Sequence, residues 1–264
     1  MGCFVSKNAD TKASRVARWR STGIVALRDS KLKTFPDEIL ELDRVVRTLD
    51  LTHNRIVDIP VEISKLINVQ RLVLAENLIE RLPVNLGKLQ SLKLMNLDGN
   101  RITSLPDELG QLVRLERLSI SGNLLTSLPA TIGSLRNLVL LNVSNNKLQS
   151  LPESVGSCFS LEELQANDNL IEDLPSSVCN LSHLKSLCLD NNNVKQLKNT
   201  ERKVISIGIS AVYLIDSLLR IGIGPLVLLQ EFLDVIHLES MVFPIIIMPL
   251  WSLSQVPYYV ADIE

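Results

Sequence analysis

Between residues 46 and 197 the apolar positions follow one template that recurs with almost no drift. In the stretch LERLSISGNLLTSLPATIGSLRNL, from Leu115 to Leu138, an asparagine at Asn123 is preceded by apolar residues eight, five and three positions earlier (Leu115, Leu118, Ile120). Others follow it two, five, nine and twelve positions later (Leu125, Leu128, Ile132, Leu135). The asparagine recurs at Asn54, Asn77, Asn100, Asn123, Asn146, Asn169 and Asn192, every step 23 residues. Six residues after each of the first six stands a proline: Pro60, Pro83, Pro106, Pro129, Pro152 and Pro175. One unit of this size buries too little apolar surface to offset the entropy of ordering its own backbone, so the units must stack and share their apolar faces with neighbours.

The spacing inside the unit predicts its local structure. Leu118 and Ile120 alternate with Arg117, Ser119 and Ser121, the period of a short strand with one buried face. Asn123 then ends the strand, and its inward carboxamide is suited to satisfy backbone groups of adjacent coils. The proline is expected at the first position of a helical turn, where its missing N–H has no partner to lose. Gly87, Gly110, Gly133 and Gly156, four residues later, predict only short helical pieces on that side. The template is that of a leucine-rich repeat. The expected fold is an α/β solenoid, a horseshoe with a concave parallel sheet of strands about 4.8 Å apart and short convex helical turns.

Both ends of the array need covering. Residues Ala13 to about Arg20 can form one or two helical turns with Ala13, Val16 and Ala17 on one face, and Trp19 is expected to pack in that cap. Ile24 to Leu42 reads as a degenerate first repeat, in which Ser30 replaces the asparagine and Pro36 to Pro60 is 24 residues. The regular array runs from about Val46 to Leu197. Lys198 then stands where proline is due, and Val204 to Val260 is strongly apolar but interrupted by Asp216, Arg220, Pro244, Pro249 and Pro257. Neither apolar run there is a clean spanning helix of about 20 residues. The expected organisation is therefore an N-terminal arm and cap over 1–21, a repeat domain of about eight repeats over 22–197, and a non-repeat tail over 198–264. The tail is expected to be an alternative ending that leaves the last coil, at Leu187, Leu189 and Val194, the least stable.

Composition narrows the chemistry. The chain has 264 residues, is 46% hydrophobic and carries a formal charge of −2, which argues against bulk nucleic-acid binding. Cys3, Cys158, Cys179 and Cys188 form neither clustered pairs nor a CxxC, which fits a reducing compartment; the sequons at Asn142 and Asn180 are then expected to be silent. His53, His183 and His237 fall at unrelated repeat positions, and no nucleotide-binding, metalloprotease or nucleophile-elbow motif occurs, so neither an enzyme, a cofactor, a metal nor a small-molecule substrate is expected. The start, Met1-Gly2-Cys3-Phe4-Val5-Ser6-Lys7, matches an N-myristoylation pattern at Gly2, with Cys3 as a candidate palmitoylation site. Two acyl chains anchor stably where one does not, and Lys7, Lys12, Arg15, Arg18 and Arg20 add attraction to an anionic leaflet.

The outward strand residues are the ones free to vary. Six before each asparagine they include Arg71, Leu94, Arg117, Leu140 and Glu163; four before, Asp50, Val73, Asn96, Ser119, Asn142 and Gln165; two before, Asp98 and mostly small polar residues. Val73, Leu94 and Leu140 are the sizeable apolar side chains of these columns, with Arg71 and Arg117 beside them, a combination suited to anchoring a protein partner.

With units such as Leu138 to Val155, LxxLxLxxNxLxxLPxxI, the chain resembles the intracellular Ras-group leucine-rich repeat proteins over roughly Ile24 to Leu197. The resemblance implies a non-catalytic adaptor whose partner belongs to small-GTPase or defence signalling. Joined to the N-terminal pattern, it places the protein in the cytoplasm, peripheral at the plasma membrane. Two other readings stay open: an integral membrane protein anchored by the apolar tail, and a soluble regulatory subunit of an enzyme.

Overall fold

The structure is a computed structural model and describes residues 11–194. Gly2, Cys3 and the tail 198–264 lie outside the described residues, and so do the expectations made for them.

Eight three-residue strands form one parallel sheet in chain order among the described residues: β1 Ile24–Ala26, β2 Thr48–Asp50, β3 Arg71–Val73, β4 Leu94–Asn96, β5 Arg117–Ser119, β6 Leu140–Asn142, β7 Glu163–Gln165 and β8 Ser186–Cys188. From β2 onward each residue pairs with the one 23 positions later, as Leu72 with Met95 and Leu118 with Leu141; between β1 and β2 the step is 24, as Val25 with Leu49. The central residue of every strand is buried, and so are most of the apolar positions that follow the asparagines, such as Leu125, Ile132 and Leu135. The result is the leucine-rich repeat solenoid that the periodicity predicts.

Opposite the sheet, each coil carries a 3-10 turn, from Val61–Lys65 to Ser176–Asn180. Proline precedes these turns instead of opening them: Pro129 has φ −67° and ψ 146°, an extended conformation, and its carbonyl accepts the first turn bond from Ile132 N–H at 3.0 Å. This corrects the expected helical first position. The ring still fixes φ, but the residue is used as a cap whose carbonyl starts the turn.

The glycines on this side answer to close packing. A Cβ on Gly133 would lie 2.4 Å from the carbonyl oxygen of Ser154 in the next coil, so only glycine permits this approach of neighbouring turns.

At the N-terminal end, helix α1 (Lys12–Thr22) begins with the Thr11 hydroxyl accepting from Ser14 N–H and ends at Gly23, whose φ of 69° is left-handed and whose N–H donates to Trp19 O. Its inward face is Arg15, Val16 and Trp19, instead of Ala13, Val16 and Ala17. Trp19 is almost fully buried, and its indole outweighs two alanine methyls in deciding which side of α1 turns inward. Arg15 lies over the Trp19 ring and donates to Glu38 in helix α2 (Asp37–Leu40) at 3.1 Å, fastening the cap to the degenerate repeat.

Candidate protein-interaction surface

Every asparagine of the series holds two coils together. Asn123 Nδ2 donates to Ile120 O and Ser121 O in its own coil and to Leu97 O in the preceding one, while its Oδ1 accepts Ile102 N–H at 3.0 Å. Asn77, Asn100, Asn146, Asn169 and Asn192 repeat this set. Asn54 adapts it, its Oδ1 accepting from both Ser30 N–H and Leu32 N–H of the degenerate repeat. These contacts fix where each strand ends and hence which side chains face outward.

The residue before each asparagine has a left-handed backbone. It is His53, Glu76, Gly99, Gly122, Asn145, Asp168 and Asn191, with φ between 53° and 66°. Sequence reasoning missed this requirement, although glycine, asparagine and aspartate at five of the seven positions carry its signal.

On the strand face the sheet sets Arg71 beside Leu94, Leu94 beside Arg117 and Arg117 beside Leu140, with Glu163 next. Arg71 and Arg117 are exposed, whereas Leu94, Leu140 and Glu163 are half-buried. The neighbouring row holds Val73, Asn96, Ser119, Asn142 and Gln165, all half-buried. Arg71, Arg117, Glu163 and Gln165 make no side-chain hydrogen bond or ion pair with another described residue.

Several predicted surface residues are instead engaged within the array. Asp50 is only 5% exposed, and its carboxylate accepts from Arg28 Nε at 2.7 Å and from Thr52 N–H and Thr52 Oγ1. Burial alone would raise this carboxyl, but the hydrogen bonds from Arg28 and Thr52, with the Arg28 charge, outweigh it and hold the pKa below the usual carboxylate value. Asp50 is therefore a brace for the first two coils and not an open contact. Asn96 and Asn142 accept from the N–H groups of Asp98 and Ser144 two residues on, and Asp98 accepts from Ser119 Oγ and Ser121 N–H at 2.7 Å. The side chains left free on this face are Arg71, Val73, Leu94, Arg117, Leu140, Glu163 and Gln165. Among the described residues no three of His, Cys, Asp and Glu gather in a way that could hold a metal ion, and burial pushes the Cys158 thiol up to about 11.

Known proteins show the same repeat. A leucine rich repeat profile matches residues 44–102, and a leucine-rich repeat region profile matches residues 84–169. Plant intracellular Ras-group-related LRR protein 7 of Oryza sativa subsp. japonica is 59% identical over 91 residues, 34% of this chain and 35% of that protein. Protein 8 of the same series is 41% identical over 73 residues, 27% of this chain and 19% of that protein. The chain thus spans about a third or less of the length of these relatives. Among solved structures, an internalin of Listeria monocytogenes aligns with a TM-score of 0.64 at 25% identity over 74% of this chain and 54% of that one. A Leptospira interrogans LRR protein aligns with a TM-score of 0.51 at 28% identity over 68% and 56%. Such arrays generally serve as protein-interaction domains. With a 23-residue period, a parallel sheet built one strand per repeat and these relatives, the chain is a leucine-rich repeat protein, similar over part of its length to the plant intracellular Ras-group-related proteins.

Proposed function

We propose that this protein is a non-catalytic adaptor of intracellular signalling that receives a protein partner on its strand face and is tethered to the inner face of the plasma membrane through acyl groups at Gly2 and Cys3. The observation that supports it is the row Arg71, Leu94, Arg117 and Leu140, in which cross-strand neighbours alternate a free guanidinium with a half-buried leucine. Apolar anchors flanked by arginines are the side-chain combination that dominates binding energy at protein interfaces, and a preformed sheet presents them without an ordering cost. The partner belongs to small-GTPase or defence signalling, in keeping with the Ras-group relatives.

The tether and the surface are tested separately. Myristate labelling followed by membrane fractionation should show incorporation that Gly2→Ala abolishes, with the variant moving to the soluble fraction; retention of Gly2→Ala on the membrane would contradict the tether. A pull-down with Leu94→Ser and Leu140→Ser together should lose the partners of the wild-type chain, and an unchanged set would contradict the surface.

A further inference from the structure

A second row of side chains runs beside the asparagine ladder. The residue immediately after each of the first six asparagines is, in order, Arg55, Leu78, Arg101, Leu124, Lys147 and Leu170: basic and leucine in strict alternation, which ends at Asn193 after the seventh. The backbone keeps these residues aligned. The N–H of Arg101 donates to Ile79 O, that of Leu124 to Ile102 O, that of Lys147 to Leu125 O and that of Leu170 to Leu148 O, all between 2.8 and 3.0 Å. The row therefore advances one coil at a time with hydrogen-bonded spacing. Leu124 is 38% exposed and Leu170 45%, Leu78 is half-buried, and the cations are exposed. Buried leucine occupies the next position in the same loops, at Leu125 and Leu148, so exposed leucine here is no requirement of the fold.

Charge divides the row into zones. Leu78 stands between Glu76 and Glu80, and Leu170 between Asp168 and Glu172, counting two residues to either side. Across the three coils between them no carboxylate holds those flanking places: Gly99 and Thr103 flank Arg101, Gly122 and Thr126 flank Leu124, and Asn145 and Gln149 flank Lys147. Neither Arg101 nor Lys147 makes an ion pair with another described residue. The row thus reads acidic, basic, apolar, basic, acidic.

Its spacing selects an occupant. Coils joined by backbone hydrogen bonds lie about 5 Å apart, so like residues two coils apart are separated by about 10 Å. Seven residues of α-helix rise about 10.5 Å. A helix laid along the row can place a leucine over each of Leu78, Leu124 and Leu170 by repeating it every seventh residue, and a carboxylate midway on the same face then meets Arg101 and Lys147. We propose that this row is a second docking site, separate from the strand face, and that its occupant is an amphipathic helix with apolar residues at heptad spacing, acidic residues between them and basic residues beside its outer two apolar positions. A flat anionic bilayer suits the row poorly, because the carboxylates at both of its ends would face like charge.

The test titrates the full 264-residue chain against a labelled helical peptide with three leucines seven residues apart, an aspartate between each pair and lysines beside the outer leucines, read by fluorescence anisotropy. The expected result is saturable binding, weakened about tenfold or more by Arg101→Glu with Lys147→Glu and recovered when the two peptide aspartates become lysines. Leu124→Ser should weaken it as well, whereas Leu94→Ser on the strand face should leave it unchanged, with every variant melting as the wild type does. Absence of saturation up to about 1 mM peptide overturns the proposal. So does weakening by Leu94→Ser with none by the row variants. Sedimentation with phosphatidylserine vesicles that depends on Arg101 and Lys147, with no peptide binding, would replace the helix by a lipid surface and equally overturn it.

Discussion

Replacing Asn123 by alanine isolates the contribution of the ladder to the array. The side chain makes four hydrogen bonds: Nδ2 to Leu97 O, Ile120 O and Ser121 O, and Oδ1 from Ile102 N–H. The losses are unequal. Leu97 O also accepts from Asn100 and Ile120 O also accepts from Asn146, so both keep one partner after the substitution. The Ile102 N–H has no such reserve and becomes a buried orphan, which costs about 1–3 kcal/mol. With the weakened carbonyls the expected loss is about 2–4 kcal/mol. Ser121→Ala, two residues earlier on a half-exposed side chain, should change stability by less than about 0.5 kcal/mol. Urea unfolding of the full chain followed by circular dichroism should move the Asn123→Ala midpoint well below both wild type and Ser121→Ala. Coincident midpoints for the two variants would refute the view that the asparagines brace the stack.

Three further expectations follow from the same geometry. Gly133→Ala should lower the melting temperature by the equivalent of about 1–3 kcal/mol, because its Cβ would meet the Ser154 carbonyl at 2.4 Å, whereas Ser134→Ala on the exposed side of the same turn should not. Gly122→Ala forces a side chain into the left-handed region at φ 66° and should cost about 1–2 kcal/mol in thermal unfolding, while Asn145→Gly at the matching position should not destabilise. Asp50 titrates lower in the folded chain than in the unfolded one, so its contribution is present above the unfolded value and is lost as pH falls through the folded value. Melting of the wild type should therefore drop more steeply than that of Asp50→Asn on acidification from about pH 6 to about pH 3.

The period of 23 and the identity of the inward residues were legible because burial acts on each repeat alike, so the signal is written seven times. Features that depend on one pair of neighbouring coils were not. Asp50 reads as an open surface residue because its partner, Arg28, comes from the degenerate first repeat, where the frame is one residue longer. The glycines of the 3-10 turns suggest a short helix, but their reason lies in the next coil, at Ser154 or Ser177, beyond the reach of a pattern within one unit. Proline fixes φ whether it caps a turn or opens one, so sequence alone did not separate the two uses. On the strand face, the columns were assigned from alternation, while the distinction between free and engaged side chains, Arg117 against Asp98, required the hydrogen bonds themselves.

The central claim, that the strand face receives a protein partner, is tested most directly by site-specific photocrosslinking in cells. A photoreactive residue at Leu94 or Leu140 should yield a discrete crosslinked protein, whereas the same residue at the exposed Val113, on the coil outside the strand rows, should not. Crosslinks from Val113 equal in yield and identity to those from Leu94 and Leu140, or no crosslink from Leu94 or Leu140, would contradict the claim.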